Sequence, residues 1–322
     1  MVNRTVHGTK REAEKVLTKM LSERDQGSLA IPTRTTLAEY LEQWKETSLR
    51  GRVSPRTFYG YEKHIERYIL ERLGEKRLTS VEPWDIQRVY QGMQARGLSA
   101  STIRGTHAVL RSALKQAVRW RILPSNPADA VDLPGQPQGK HQALTTEQAK
   151  RFLDAAADSD WKALYHVLMV CGLRPGEAFG LMWSAVDLTR GRLEVRQSVT
   201  YDAERKAVLA EPKTKGSRRS MPIPPALVQV LGEQHGRTRD VANPLGLVFP
   251  SIDGGLIHPS HWSKRDFHRV SAKAHLPKGF RLYDLRHTCA TLMLSNGAHP
   301  KIVAERLVKM PEGSVVSLLH SV

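Results

Sequence analysis

From Thr36 onward, apolar residues return at steps of three and four along four successive stretches: Leu37, Tyr40, Leu41 and Trp44; Phe58, Tyr61, Ile65 and Ile69; Ile86, Val89, Tyr90 and Met93; Ile103, Leu110, Leu114 and Val118. That period lines one face of an α-helix, so the spacing predicts four amphipathic helices. Local signals mark their ends. Ser54 before Pro55 reads as an N-cap followed by a first-turn proline, Ser99 caps the fourth helix, and Gly74 and Gly97 stand just past helix ends. An earlier stretch, KREAEKVLTKMLSER at 10–24, has helical spacing of its own. Residues 124–142, PSNPADAVDLPGQPQGKHQ, lack any period and concentrate Pro, Gly and small polar residues, which predicts a linker. Beyond it, TTEQ at 145–148 fits a capping box that opens a further helix. Residues 192–224 turn to alternating, β-branched composition broken by polar turns, predicting a small antiparallel sheet in the form of a meander. Helical spacing resumes around 227–231, 262–274, 285–294 and 302–307. The pattern therefore predicts a mainly α protein with a small antiparallel β-sheet, in two parts.

Charge adds a partner. The 322 residues hold 49 Lys and Arg against 32 Asp and Glu, a net charge of +17. Residues 1–140 carry 24 basic and 15 acidic side chains and the remainder 25 and 17, so the excess is no detachable tail and both parts suit a polyanion, with nucleic acid first. The fourth helix carries Arg104, Arg111, Lys115 and Arg119 in an acid-free stripe beside its apolar face. A charged helix face is ordinarily just solvated; in so basic a chain this one is read as tracking a phosphate backbone. No apolar stretch reaches membrane-spanning length and MVNRTVHGTKREAEK lacks a signal-peptide core, so no membrane partner and a cytoplasmic location are expected. Cys171 and Cys289 lie in apolar helical patterns and read as buried hydrophobes, not as a disulfide or a metal pair.

Three basic sites interrupt apolar or turn-like surroundings. In CGLRPGEAFGLMW, Arg174 stands between a helix ending at Gly172 and another begun by Pro175, beside backbone amides that welcome an anion. In EPKTKGSRRSMPIP, Lys213 and Lys215 sit in or near a hairpin turn. In RLYDLRHTCATLML, Tyr283 and Arg286 lie three apart on a helix whose Leu285, Cys289 and Leu292 face a core. Taken singly, each has a plainer reading: Arg174 paired with Glu177, solvated turn lysines, Arg286 bridged to Asp284.

Taken together, in this order and wording, they resemble the tyrosine recombinases, the phage-type site-specific integrases. GLRPGEAFGLMWSAVDL resembles that family's first box, PKTKGSRRSMPIP its lysine hairpin and YDLRHTCATLML its second box; TLAEYLEQWKE and LSASTIRGTHAVLRSALKQAVRWRILPSNPA resemble its core-binding domain. The resemblance implies a helical, SAM-like core-binding domain at 31–123, a linker at 124–142 and an α+β catalytic domain of the DNA breaking-rejoining fold at 143–322. Residues 1–30 would be the remnant of an arm-type DNA-binding domain. It further implies double-stranded DNA attachment sites as partner, a homotetramer on DNA, a 3′-phosphotyrosine intermediate, and no metal or other cofactor. By position, Arg174 and Arg286 would clamp the phosphate and Lys213 would be the general acid, with Lys215 as the fallback. Glu177 would orient Arg174, and Tyr283 would stand where the second box usually has His.

The match weakens after Leu307. Val308 and Lys309 occupy the places of the family's Gly-His pair, which makes Lys309 the third-box position, and ungapped counting puts Leu319 where the nucleophilic Tyr belongs. No tyrosine occurs among residues 284–322. The expectation is a chain frameshifted or truncated after 307 and shortened at its start: a recombinase lacking its nucleophile. The competing expectation is a catalytically dead DNA-binding remnant that interferes with an intact integrase.

Overall fold

The computed structural model describes residues 8–25, 34–135, 142–211, 218–239, 242–257, 262 and 264–307. The chain divides into two compact units, Met1–Gln138 and Gly139–Val322.

In the first unit, α1 (Lys10–Asp25) precedes α2 (Leu37–Trp44), α3 (Pro55–His64), α4 (Leu70–Leu73), α5 (Pro83–Ala95) and α6 (Ala100–Arg119). Ser54 and Ser99 cap as the sequence reading expects, each accepting a hydrogen bond from the backbone N–H three residues on, and Thr36, not marked in the sequence, does the same for α2. Gly97 takes a left-handed φ of 74° after α5, whereas Gly74 caps α4 with ordinary right-handed geometry. Two features had no local signal: α2 runs into a five-residue π-turn at Lys45–Leu49, and another at Ile65–Ile69 joins α3 to α4. Leu37, Leu41, Trp44, Ile65, Leu110 and Leu114 are among the residues that fill the core. Tyr40 reaches across it to donate to the Ala113 carbonyl at 2.6 Å.

The stretch expected to be a free linker is in its first half part of this unit. Ala128, in a 3-10 turn at Pro127–Ala130, is buried in the helical core with Leu133 packed against it. Asp132 and Gln87 exchange hydrogen bonds between backbone and side chain. Three apolar residues in a Pro-rich stretch, Ala128, Val131 and Leu133, give no period to read, yet suffice to seat the chain on the helical core.

In the second unit, α7 (Thr146–Ala155), α8 (Lys162–Cys171) and the short α9 (Pro175–Phe179) come first. The capping box at Thr145 and Gln148 is present with both bonds. Strands β1 (Val186–Asp187), β2 (Arg192–Val195), β3 (Ser198–Tyr201), β4 (Ala207–Ala210) and β5 (Arg219–Pro222) follow, then α10 (Pro225–Arg239), α11 (Lys264–Lys273), α12 (Asp284–Ser295) and α13 (Pro300–Leu307). The strands are antiparallel as expected, but they do not form one meander: β2 pairs with β1 and β5, while β3 and β4 make a separate hairpin. Asp202 folds that hairpin's turn by accepting from the N–H groups of Glu204 and Lys206. Alternation alone marks strands but does not choose their partners. Phe152, Leu164, Phe179, Leu193, Phe249 and Leu285 belong to one continuous core. At its edge the Asp266 carboxylate accepts from Ser159 at 2.6 Å and Tyr165 at 2.7 Å, which ties α11 to α8.

Candidate active site

Gly172 ends α8 with a left-handed φ of 61°. A Cβ there would overlap Leu307 Cδ2 and come within 3.1 Å of Cys289 Sγ, so both conformation and space demand glycine. Two residues on, Arg174 takes extended backbone at the N-cap of α9, with Pro175 in the first helical position. Its backbone N–H donates to Glu177 Oε2 at 2.9 Å and its Nη1 to Oε1 at 2.8 Å. Glu177 is only 5% exposed, and its charge is met again from β5: Arg219 donates from Nη2 to Oε2 at 2.8 Å and from Nη1 to Oε1 at 3.2 Å. Burial pushes the Glu177 carboxyl up, but the Arg219 bonds, and then those of Arg174, outweigh it and hold the group below the ordinary carboxylate range.

The third element is α12. Tyr283 stands at its N-cap, half exposed, with its ring 5.5 Å from that of His287. Arg286, one turn in, is buried and donates to the carbonyls of Gly172 and Leu307, joining the ends of α8 and α13. Burial, and then the like charge of Arg174, pull its guanidinium down to about 10, so it remains cationic at neutral pH. Arg174 is shifted the other way: burial alone would lower it, but Glu177 and then the nearby Tyr283 raise it. Arg174 and Arg219 thus share a single carboxylate, and Arg286 adds a third cation from α12, leaving a positive site at the meeting of α9, β5 and α12. Asp284 does not dilute it, because that carboxylate is taken by Arg281, through the backbone N–H at 2.8 Å and the side chain at 3.3 Å. The plainer reading of Arg286 as a bridge to Asp284 is therefore wrong, whereas the pairing of Arg174 with Glu177 is present.

Of the residues marked in the sequence, Arg174, Glu177, Tyr283 and Arg286 come together. Lys213, Lys215, Lys309 and Leu319 lie outside the described residues. The sequence reading passed over Arg219, which looked like one more charge in a basic run, and Arg306, which donates to the Val170 carbonyl at 3.2 Å and the Pro222 carbonyl at 3.5 Å. Arg219 left one signal: it alternates with Met221, whose burial fixes the strand's faces. Cys171 and Cys289 are buried free thiols; burial pushes Cys171 up to about 12, so it is unreactive at neutral pH. Among the described residues no group of three His, Cys, Asp or Glu side chains is placed to hold a metal ion, and no helix is long and apolar enough to cross a membrane.

Part of the basic stripe on α6 has partners within its own unit. Arg111 donates to Asp129 at 2.6 Å and Arg104 to the Pro134 carbonyl at 2.9 Å, both from the docked stretch after α6. Lys115 and Arg119 remain exposed. The stripe is acid-free along the helix but not in space, because Asp129 arrives from a later turn.

Residues 142–308 match the model of the phage integrase family, and residues 36–94 match that of the phage integrase N-terminal SAM-like domain. The chain belongs to the phage integrase family, whose members carry out site-specific DNA recombination. It is 29% identical to a XerC-like tyrosine recombinase of Caldanaerobacter subterraneus subsp. tengcongensis, over 93% of this chain and 82% of that one. It is 27% identical to an integrase of Streptomyces ambofaciens, over 92% and 79%. The fold matches the Tn1549 transposon integrase solved in complex with a circular intermediate DNA, with a TM-score of 0.77 at 22% identity, covering 88% of this chain and 94% of that one.

Proposed function

We propose that this chain recombines DNA at specific sites by the tyrosine recombinase route, with Arg174 and Arg286 gripping the non-bridging oxygens of one backbone phosphate. The observation that carries this is the pair of guanidinium groups, Arg174 and Arg219, on the single carboxylate of Glu177, with the buried cation of Arg286 close enough for its charge to be felt by both Arg174 and Glu177. In the family's reaction a tyrosine hydroxyl attacks phosphorus and negative charge builds on the non-bridging oxygens; fixed cations in a partly desolvated site, as Arg174 and Arg286 are, stabilise that state more than the ground state. Tyr283, close enough to Arg174 to raise its pKa, donates to the same phosphate. Lys213, with Lys215 as the alternative, delivers a proton to the departing 5′-oxygen while the 3′-phosphate stays on the tyrosine. The partner strand's 5′-hydroxyl then reverses the step. Lys115 and Arg119 on α6 hold the flanking duplex, and α1 belongs to an arm-binding module. The working assembly is a homotetramer on DNA in the cytoplasm.

A second reading has its own observation: residues 284–322 contain no tyrosine. On that reading the chain occupies attachment sites without cleaving them. Incubation of the full chain with nicked duplexes carrying candidate attachment sites, followed by denaturing electrophoresis, separates the two. A covalent protein–DNA adduct, reduced about 100-fold or more by Arg174→Ala or Arg286→Ala, supports recombination. Salt-sensitive binding with no adduct supports the second reading. An adduct indifferent to both substitutions overturns the clamp.

A further inference from the structure

Arg219 lies outside both arginine boxes, yet it is the more deeply buried of the two arginines on Glu177: its side chain is 7% exposed against 40% for Arg174. It meets the carboxylate with two N–H groups, whereas the Arg174 guanidinium uses one. Its backbone is set by the antiparallel pair between Arg219 and Val195, so the guanidinium projects from a strand anchored in the sheet. The division of labour follows from charge and access. An isolated Arg174–Glu177 pair is electrically neutral, a poor receptor for an anion. A second cation on the same carboxylate offsets it and leaves Arg174, the accessible one, with uncompensated charge.

We infer that Arg219 is a positioning residue of the phosphate site: it holds and neutralises the Glu177 carboxylate so that Arg174 is fixed in place and left cationic toward the ligand. This rests on the reading of Arg174 and Arg286 as the phosphate clamp. Without Arg219, the buried carboxylate turns its full charge and both oxygens on Arg174, drawing away N–H groups that a phosphate needs. The role parallels that of outer partners that orient metal ligands, whose loss costs about 10–100-fold.

Titration of the full-length protein with inorganic orthovanadate, a tetrahedral oxyanion, by calorimetry tests this. Arg219→Gln is expected to weaken binding about tenfold. Arg218→Gln removes the same charge from the adjacent position, where Arg218 pairs with exposed Glu211, and is expected to change binding less than about twofold. Arg219→Lys should recover part of the loss. If Arg219 acts through Glu177, its removal has no further effect once that carboxylate is gone, so Glu177→Gln and the Glu177→Gln/Arg219→Gln double variant should agree within about twofold. That comparison also stands if Arg219→Gln alone fails to fold, because the double variant buries no lone carboxylate. Arg219→Gln matching Arg218→Gln, or a double variant much weaker than Glu177→Gln, overturns the inference while Arg174→Ala still abolishes binding. Vanadate affinity unchanged by both Arg174→Ala and Arg286→Ala overturns the clamp and this role with it.

Discussion

At Glu177, glutamine keeps the shape of the side chain and removes its charge. The folded carboxyl titrates below the ordinary 4.5, because the arginine bonds outweigh a burial that would raise it. A carboxyl with a depressed folded pKa stabilises the fold fully above the ordinary value, and that contribution fades as pH falls through the lower folded value. Glu177→Gln is therefore expected to be less stable than wild type at neutral pH by about 3 kcal/mol, since it leaves buried guanidinium groups without their counter-charge. The gap should narrow on acidification below 4.5, as urea melts at several pH values would show. Gly172 offers a second test. Its left-handed backbone and lack of space for a Cβ put Gly172→Ala at a cost of about 2 kcal/mol or more, seen as a lower urea midpoint with an unchanged slope.

At the scale of elements, α6 shows why a charge stripe and a binding face are different things. Lys115, Arg119 and Arg111 are all exposed, but Arg111, like the half-buried Arg104, is held by the segment that docks after the helix. If Lys115 and Arg119 contact phosphates, Lys115→Ala or Arg119→Ala should reduce the slope of log K against log salt by about one each. Arg104→Ala should lower thermal stability with little change in that slope. Asp129→Ala, which frees Arg111, should raise DNA affinity at low salt and steepen the slope. The helices themselves were legible because Ser54, Ser99 and Thr145 state their ends in local chemistry. The π-turns at Lys45–Leu49 and Ile65–Ile69 were not, because an inserted turn that reseats Leu49 or Ile69 in a core answers to packing across the unit.

At the scale of the molecule, each unit has its own main core among the described residues. Leu110→Ala empties space in the first and Leu164→Ala in the second, each at a cost of about 2–5 kcal/mol. Scanning calorimetry should show each substitution lowering the unfolding of its own unit. The sequence by itself determined the fold class, most helix ends, the strand-forming region, the basic character and the local wording of the boxes that hold Arg174, Glu177, Tyr283 and Arg286. These follow from periods of 3.6 and 2, from capping groups and from net charge, all of which act between near neighbours. Tertiary structure alone decided that β2 pairs with β5 past an intervening hairpin, that Ala128 seats a supposed linker, and that Asp129 closes on Arg111. It alone brought Arg219 onto Glu177, 42 positions away. Such contacts depend on which surfaces are buried together, and a hydrogen bond between distant residues leaves no period in the chain.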